Sequence, residues 1–149
     1  MGGLSFSSLP KILLAACAAA ACSAAVAATA TKWDHIADSM DGLVSFYGGG
    51  PIVSVRGAVR RARLLYDYRE PQLDPDTMIA NRSTIAVMLV DCTRRALASI
   101  EGTDYAGAMG NGKIVSRSRQ LPDALPVYAA AKAGTPDDEV VNYVCKASR

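Results

Sequence analysis

Four cysteines and a single histidine are the residues best suited to chemistry in this 149-residue chain. Cys17 and Cys22 lie in an Ala-rich N-terminal run, whereas Cys92 and Cys145 stand 53 positions apart in the remainder. That separation excludes a C-x-x-C redox pair, and a zinc site needs more ligands than two thiolates and His35 supply. A nucleophile–base pair needs a histidine or an equivalent base. His35, next to Asp34, is the sole candidate, and neither a G-x-S-x-G elbow nor an S-x-x-K motif is present. Asp74-Pro75-Asp76 has a calcium-like look but lacks the remaining oxygen ligands and the glycine of a calcium loop. Gly48-Gly49-Gly50-Pro51 invites a phosphate-loop reading, yet no Lys-Ser/Thr pair follows it. The expectation is a protein that is not an enzyme, with no catalytic residues, no metal and no cofactor.

The N-terminal cysteines belong to a different kind of segment. Lys11 is the only charge before an almost pure Leu/Ala stretch from Ile12 to Ala21, and small residues run on to Ala30. This is the layout of a secretory signal. Val26-Ala27-Ala28 fits the small-residue cleavage rule, with Ala25-Val26-Ala27 close behind, so the expected division is a signal peptide over 1–28 and one domain over 29–149. A transmembrane anchor is the weaker reading, because alanine is barely apolar and no basic stop-transfer cluster follows. Leu14-Ala15-Ala16-Cys17 matches a lipobox after a very short apolar lead-in, and Ala19-Ala20-Ala21-Cys22 has better spacing but a poorer box. Cys17 and Cys22 are therefore the candidate lipidation sites, and a lipid anchor is the only membrane contact expected.

Removing the leader leaves two cysteines in an exported chain, which implies one disulfide, Cys92–Cys145. A loop of that size removes roughly 4 kcal/mol of unfolded-state freedom in the chain-entropy model. Charge is nearly balanced, at +2 for the whole chain, but it is unevenly placed. Arg56, Arg60, Arg61 and Arg63 cluster, as do Arg94-Arg95 and Arg117 with Arg119. Such runs suit nucleic acid, heparin-like polymers or anionic lipid, or simply the wet face of a sheet. Export argues against nucleic acid as a partner.

The elements that hold these residues are mostly strands. Ser83 to Cys92 is an apolar and β-branched run bounded by arginines, the pattern of a buried central strand. Gly57 to Tyr68 alternates: Ala58, Ala62, Leu64, Tyr66 and Tyr68 share one parity, while Arg61, Arg63 and Asp67 share the other. Trp33 and Ile36 anchor a first strand, with Trp33 expected in the core, and Asp41-Gly42 turns the chain into a second strand from Leu43 to Tyr47. The glycine run reads as a turn before a short strand at Ile52–Val55, and Glu70 to Asp76 reads as a loop. Thr93 to Glu101 reads as a bent strand or a tight strand-to-strand transition. Asn111-Gly112 predicts a type I′ hairpin leading into a strand from Lys113 to Ser116, and Val127-Tyr128 a short strand end. Asn81-Arg82-Ser83 matches a glycosylation sequon. Thr135 at the cap, Pro136 behind it and acids in the first turn open a helix. Val140, Tyr143, Val144 and Ala147 form its apolar stripe, and Cys145 sits beside it. The fold expected from the residues is α+β: a small antiparallel β-sheet with a C-terminal α-helix packed on it, stapled by one disulfide.

The ordered set is specific as a set. Trp33 opens the domain, Leu65-Tyr66-Asp67-Tyr68 follows the alternating strand, and Asp91-Cys92 ends the apolar run. Tyr105 with Met109-Gly110-Asn111-Gly112 comes next, and Val144-Cys145 lies on the last helix. This arrangement resembles the surface-adhesin protein E family of Gram-negative bacteria, from about Trp33 to Cys145. The resemblance implies an antiparallel sheet, a packed C-terminal helix and one disulfide. It also implies a non-enzymatic cell-envelope protein at the outer membrane and cell surface that binds host extracellular-matrix or serum proteins and can form a homodimer; the alternative is a periplasmic structural or accessory protein with no host contact. The Gly-Gly-Gly-Pro run departs from the family pattern, and no residues here match a known host-binding segment.

Overall fold

The apolar run at 83–92 does form a central strand. In a computed structural model that describes residues 31–75 and 77–146, it is the heart of β4 (Ala80–Asp91). The leader, with its cleavage sites near Ala28 and the thiols of Cys17 and Cys22, lies outside the described residues, as do Asp76 and Ala147. The other strands are β1 (Trp33–Asp38), β2 (Val44–Arg56), β3 (Val59–Leu73), β5 (Ala96–Tyr105), β6 (Ile114–Arg119) and the two-residue β7 (Ala129–Ala130). β1 to β6 lie side by side in chain order, each antiparallel to the next, and β7 pairs with the start of β5. This meander needs only hairpin connections, which suits the closely spaced turn signals in the sequence.

The helix α1 (Pro136–Lys146) covers one face of the sheet. Val140, Val141 and Val144 pack on Ala62 and Leu64 of β3, Ala86, Met88 and Val90 of β4 and Leu97 of β5, with Phe46, Ile52 and Tyr66 around them. Burial pushes the Tyr66 hydroxyl far above the ordinary phenol range, with Asp137 adding to it. Thr135 holds the cap position through its backbone, whose carbonyl accepts from Asp138 and Glu139. Its hydroxyl turns back and donates to Lys132 O, 2.6 Å away. The disulfide joins Cys92, one residue past β4, to Cys145 in the last turn of α1, with their Cα atoms 5.8 Å apart. Beyond the helix on this same face, a hydrogen-bond ladder crosses four strands. Tyr68 meets Thr84 at 3.1 Å, Thr84 donates to Asp104 at 2.6 Å, and Ser116 donates to Asp104 at 2.5 Å.

Several local expectations give way to sheet geometry. The glycine run does not break the chain: β2 passes straight through it, with a register shift between Gly49 and Val53. Gly48 and Gly49 are there for space, whereas Gly50 has open surroundings and takes φ 75°. A Cβ on Gly48 would meet the Tyr143 ring at 2.2 Å, and one on Gly49 the Trp33 ring at 2.5 Å. Glu70–Asp76 is not all loop, because β3 continues to Leu73 and, after a register shift, pairs Gln72 with Asn81 and Leu73 with Ala80. Asn111-Gly112 is not a type I′ hairpin. Asn111 has φ −102°, and the connection spans Ala106 to Lys113, closed by Ala106 N donating to Lys113 O. The tight transition at 92–95 is as expected, whereas the short strand expected at Val127-Tyr128 falls two residues later, at β7.

Candidate binding face

The face of the sheet opposite α1 carries Arg61, Arg63, Arg117 and Arg119, whereas Arg60 shares the α1 side with Ala62 and Leu64. Residues directly opposed on antiparallel neighbours point to the same side, so the registers define transverse rows. One row reads Trp33, Gly49, Arg63, Val87, Glu101, Arg119 from β1 to β6. The next reads His35, Tyr47, Leu65, Ile85, Thr103, Arg117. Arg61, opposite Leu89, stands on the far side of the first row. The period-2 pattern of β3 thus placed Arg61, Arg63 and Asp67 on one side correctly. It gave no hint that Arg117 and Arg119, some fifty residues on, share that side, because register is not written in a single strand.

The arginines differ in their attachments. The Arg63 guanidinium lies 5.4 Å from the Trp33 ring centroid and donates to Thr31 Oγ1 at 3.3 Å. Trp33 is half-buried at the sheet edge, outside the core it was expected to join. Arg119 pairs with Glu101 at 2.7 Å. Arg61 and Arg117 are exposed and make no hydrogen bond or ion pair among the described residues. Their neighbours line open depressions. Arg61, Arg63, Val87 and Glu101 border one of about 330 Å³, and Glu101, Thr103, Arg117 and Arg119 border one of about 440 Å³. A third, of about 360 Å³, lies between Trp33, Arg63 and Met109.

Two raised connections bound this face. At one end the 106–113 connection is pinned down: Met109 N donates to Asp67 Oδ1 at 2.6 Å, Gly110 N donates to Ser83 Oγ at 2.8 Å, and that hydroxyl donates to Gly107 O at 2.6 Å. Met109 and Gly110 take positive φ to do so, and Gly110 lies against Ile85 where a Cβ would clash at 2.6 Å. Leu65 and Ser83 are fully buried beneath it. At the other end is the 121–128 segment, whose Leu125 and Tyr128 line an open groove of about 600 Å³ with Val55, Val59, Leu89, Arg56 and Arg94. Arg94 stacks on Tyr128 at 4.8 Å and pairs with Asp91 at 2.6 Å. Asp91 also accepts from the backbone of Arg94 and of Thr93, and the Arg94 backbone bond, then its side-chain bond, hold the carboxyl below the usual range.

The chemical candidates look different once placed. His35 Nε2 donates to Asp38, not Asp34, and Ser45 donates to the same Asp38 oxygen. The carboxylate sits between imidazole and hydroxyl, so the base does not touch the nucleophile as acyl transfer would require. Asp74 accepts from Thr77 N in a tight turn, and no group of three or more potential metal ligands gathers among the described residues. Asn81 of the sequon is buried at 7 % exposure inside β4, where its amide donates to Thr84, so this site is closed to a glycan. None of the described helices is long and apolar enough to cross a membrane.

Among the described residues, one meandering sheet, one covering helix and one cross-link define a small disulfide-stapled α+β domain whose second face no helix covers. The chain belongs to the surface-adhesin protein E family, whose model matches residues 33–146. This is a family of surface adhesins, not of enzymes. Solved structures of protein E from Haemophilus influenzae share the fold. One superposes with a TM-score of 0.54 at 11 % identity, covering 77 % of this chain and 84 % of that one. A second form gives 0.55 at 12 % identity, covering 80 % and 92 %. Protein E from the non-typeable organism gives 0.52 at 13 %, covering 79 % of each. No curated protein sequence matches the chain significantly. The antiparallel sheet, the C-terminal helix and the Cys92–Cys145 bond expected from the residues are all present.

Proposed function

We propose that this chain is an exported, non-enzymatic envelope protein that works as an adhesin, and that the helix-free face of its sheet makes the contact. The observation that carries this reading is the uncovered face itself: six strands wide, bearing two pairs of arginines, and bordered but not closed by the two connections. The partners this reading favours are host extracellular-matrix or serum proteins. Arginine and tryptophan are the side chains that most often dominate protein contacts, and both stand on this face.

The test uses intact cells that express the protein. Brief surface proteolysis should remove it, and cells bearing it should bind matrix-coated wells several-fold better than cells lacking it. Protection from the protease until the outer membrane is opened would instead make it a periplasmic accessory protein with no host contact.

A further inference from the structure

We infer that the helix-free face engages matrix proteins through the linear sulfated polysaccharide chains they carry, held by Arg61, Arg63, Arg117 and Arg119. This rests on the reading of that face as the contact surface and names the chemistry of its ligand. Glu101 borders the depressions of both arginine pairs, and Arg63 borders the Trp33 depression as well, so the three hollows are contiguous across the sheet. From β3 to β6 is three strand spacings, about 14 Å, and the arginines within each pair are about 7 Å apart along their strands. One small anion cannot bridge such a span, whereas an extended polymer with repeated anionic groups can.

Charge complementarity sets the sign of the ligand, and residue type narrows its groups. The four cations facing the hollows are all arginine, whose planar fork matches the oxygens of sulfate or carboxylate in pairs. Arg61 and Arg117 have no partner to give up among the described residues, so they bind without breaking an existing ion pair. Glu101 opposes binding directly and also occupies Arg119.

The geometry disfavours the other polyanions. Single-stranded nucleic acid needs aromatic platforms along its path. Between the two arginine pairs the rows carry Val87, Glu101, Ile85 and Thr103, none of them aromatic, and the ring beside Arg63, Trp33, is already stacked by its guanidinium. An anionic bilayer is flat, whereas these arginines line hollows between the 106–113 connection and the 121–128 segment.

The experiment measures binding of the purified 29–149 domain, with its disulfide intact, to immobilised heparin, to single-stranded DNA and to vesicles containing a fifth anionic lipid. Heparin should bind at low salt and weaken steeply as salt rises. Arg61→Ser with Arg117→Ser should weaken it at least tenfold and flatten the salt dependence, with an unchanged unfolding midpoint. Glu101→Gln should strengthen it a few-fold. No heparin binding at low salt, a double variant equal to wild type, or tighter binding to DNA or vesicles would overturn the inference. Adhesion to matrix that soluble heparin does not inhibit would leave the adhesive reading standing and sink this one. Heparin binding without adhesion to matrix would do the reverse.

Discussion

Trp33 and Gly49 act as a pair. The indole lies over the strand where β1 meets β2, and only a residue without a side chain leaves room for it. Adding a Cβ at Gly49 would place an atom 2.5 Å from the ring, so the ring must move, and with it the Arg63 guanidinium stacked there. Overpacking of this kind typically costs about 1–3 kcal/mol. Gly49→Ala should therefore lower stability by about that much in urea unfolding. Because Trp33 is the only tryptophan, its emission should also shift to the red in the folded variant. An unshifted spectrum with unchanged stability would mean that the ring does not sit over Gly49. This pairing was not legible in the sequence. A run of three glycines before proline has a local meaning, a turn, and a non-local one, room for rings packed from a neighbouring strand and from α1. Only the register of β1 on β2 decides between them.

Among the elements, the β4–β5 turn and α1 are tied together by more than sulfur. Arg95, at φ 50°, reaches from the turn to the helix, where it pairs with Asp138 and donates to Asn142 Oδ1 at 3.0 Å. The Arg95 hydrogen bond, then the Gly134 N–H, hold the Asp138 carboxyl below its ordinary 3.8. Asp91 is lowered likewise within the turn. Groups lowered in the folded state stabilise it above their unfolded pKa, and that contribution fades as pH falls through the folded value. Stability should accordingly hold down to about pH 4 and drop below it, and Asp138→Asn should flatten that acid limb in denaturant melts taken at successive pH values. The disulfide is the larger tie. Reducing it, or Cys92→Ser with Cys145→Ser, should cost about 4 kcal/mol in the chain-entropy model, read as a lower midpoint in guanidinium. A variant as stable as wild type would show that helix burial alone holds the C-terminus. These elements were the most legible part of the chain. A cap, a proline, three acids and an apolar stripe specify α1 locally, and two cysteines specify its partner. The 106–113 connection was not legible, since its shape comes from Asp67 and Ser83 on distant strands.

For the molecule as a whole, the two faces of the sheet divide the work. One is closed by α1 and provides stability; the other remains open and charged. The division has a consequence for where the protein must mature. With one helix and one sheet, the core is thin, and a 53-residue disulfide-closed loop supplies a large share of a net stability of about 5–15 kcal/mol. Such a bond persists in an oxidising compartment, which favours export before folding and so a working leader in the first 28 residues. The family match begins at residue 33, five positions beyond Ala28, the residue expected to precede cleavage. Two outcomes follow for the finished N-terminus. Cleavage after Ala28 releases a soluble domain, whereas processing at Cys17 or Cys22 leaves it on a lipid. Leu14-Ala15-Ala16-Cys17 has the lipobox but too little apolar sequence before it, and Cys22 the converse. Neither meets both requirements, whereas Val26-Ala27-Ala28 meets the one that a cleaved leader needs. N-terminal sequencing of the mature protein should therefore read Thr29 first, and radiolabelled palmitate should not be incorporated. Label that disappears in Cys17→Ser or Cys22→Ser would replace the soluble form with an anchored one and identify the anchoring residue.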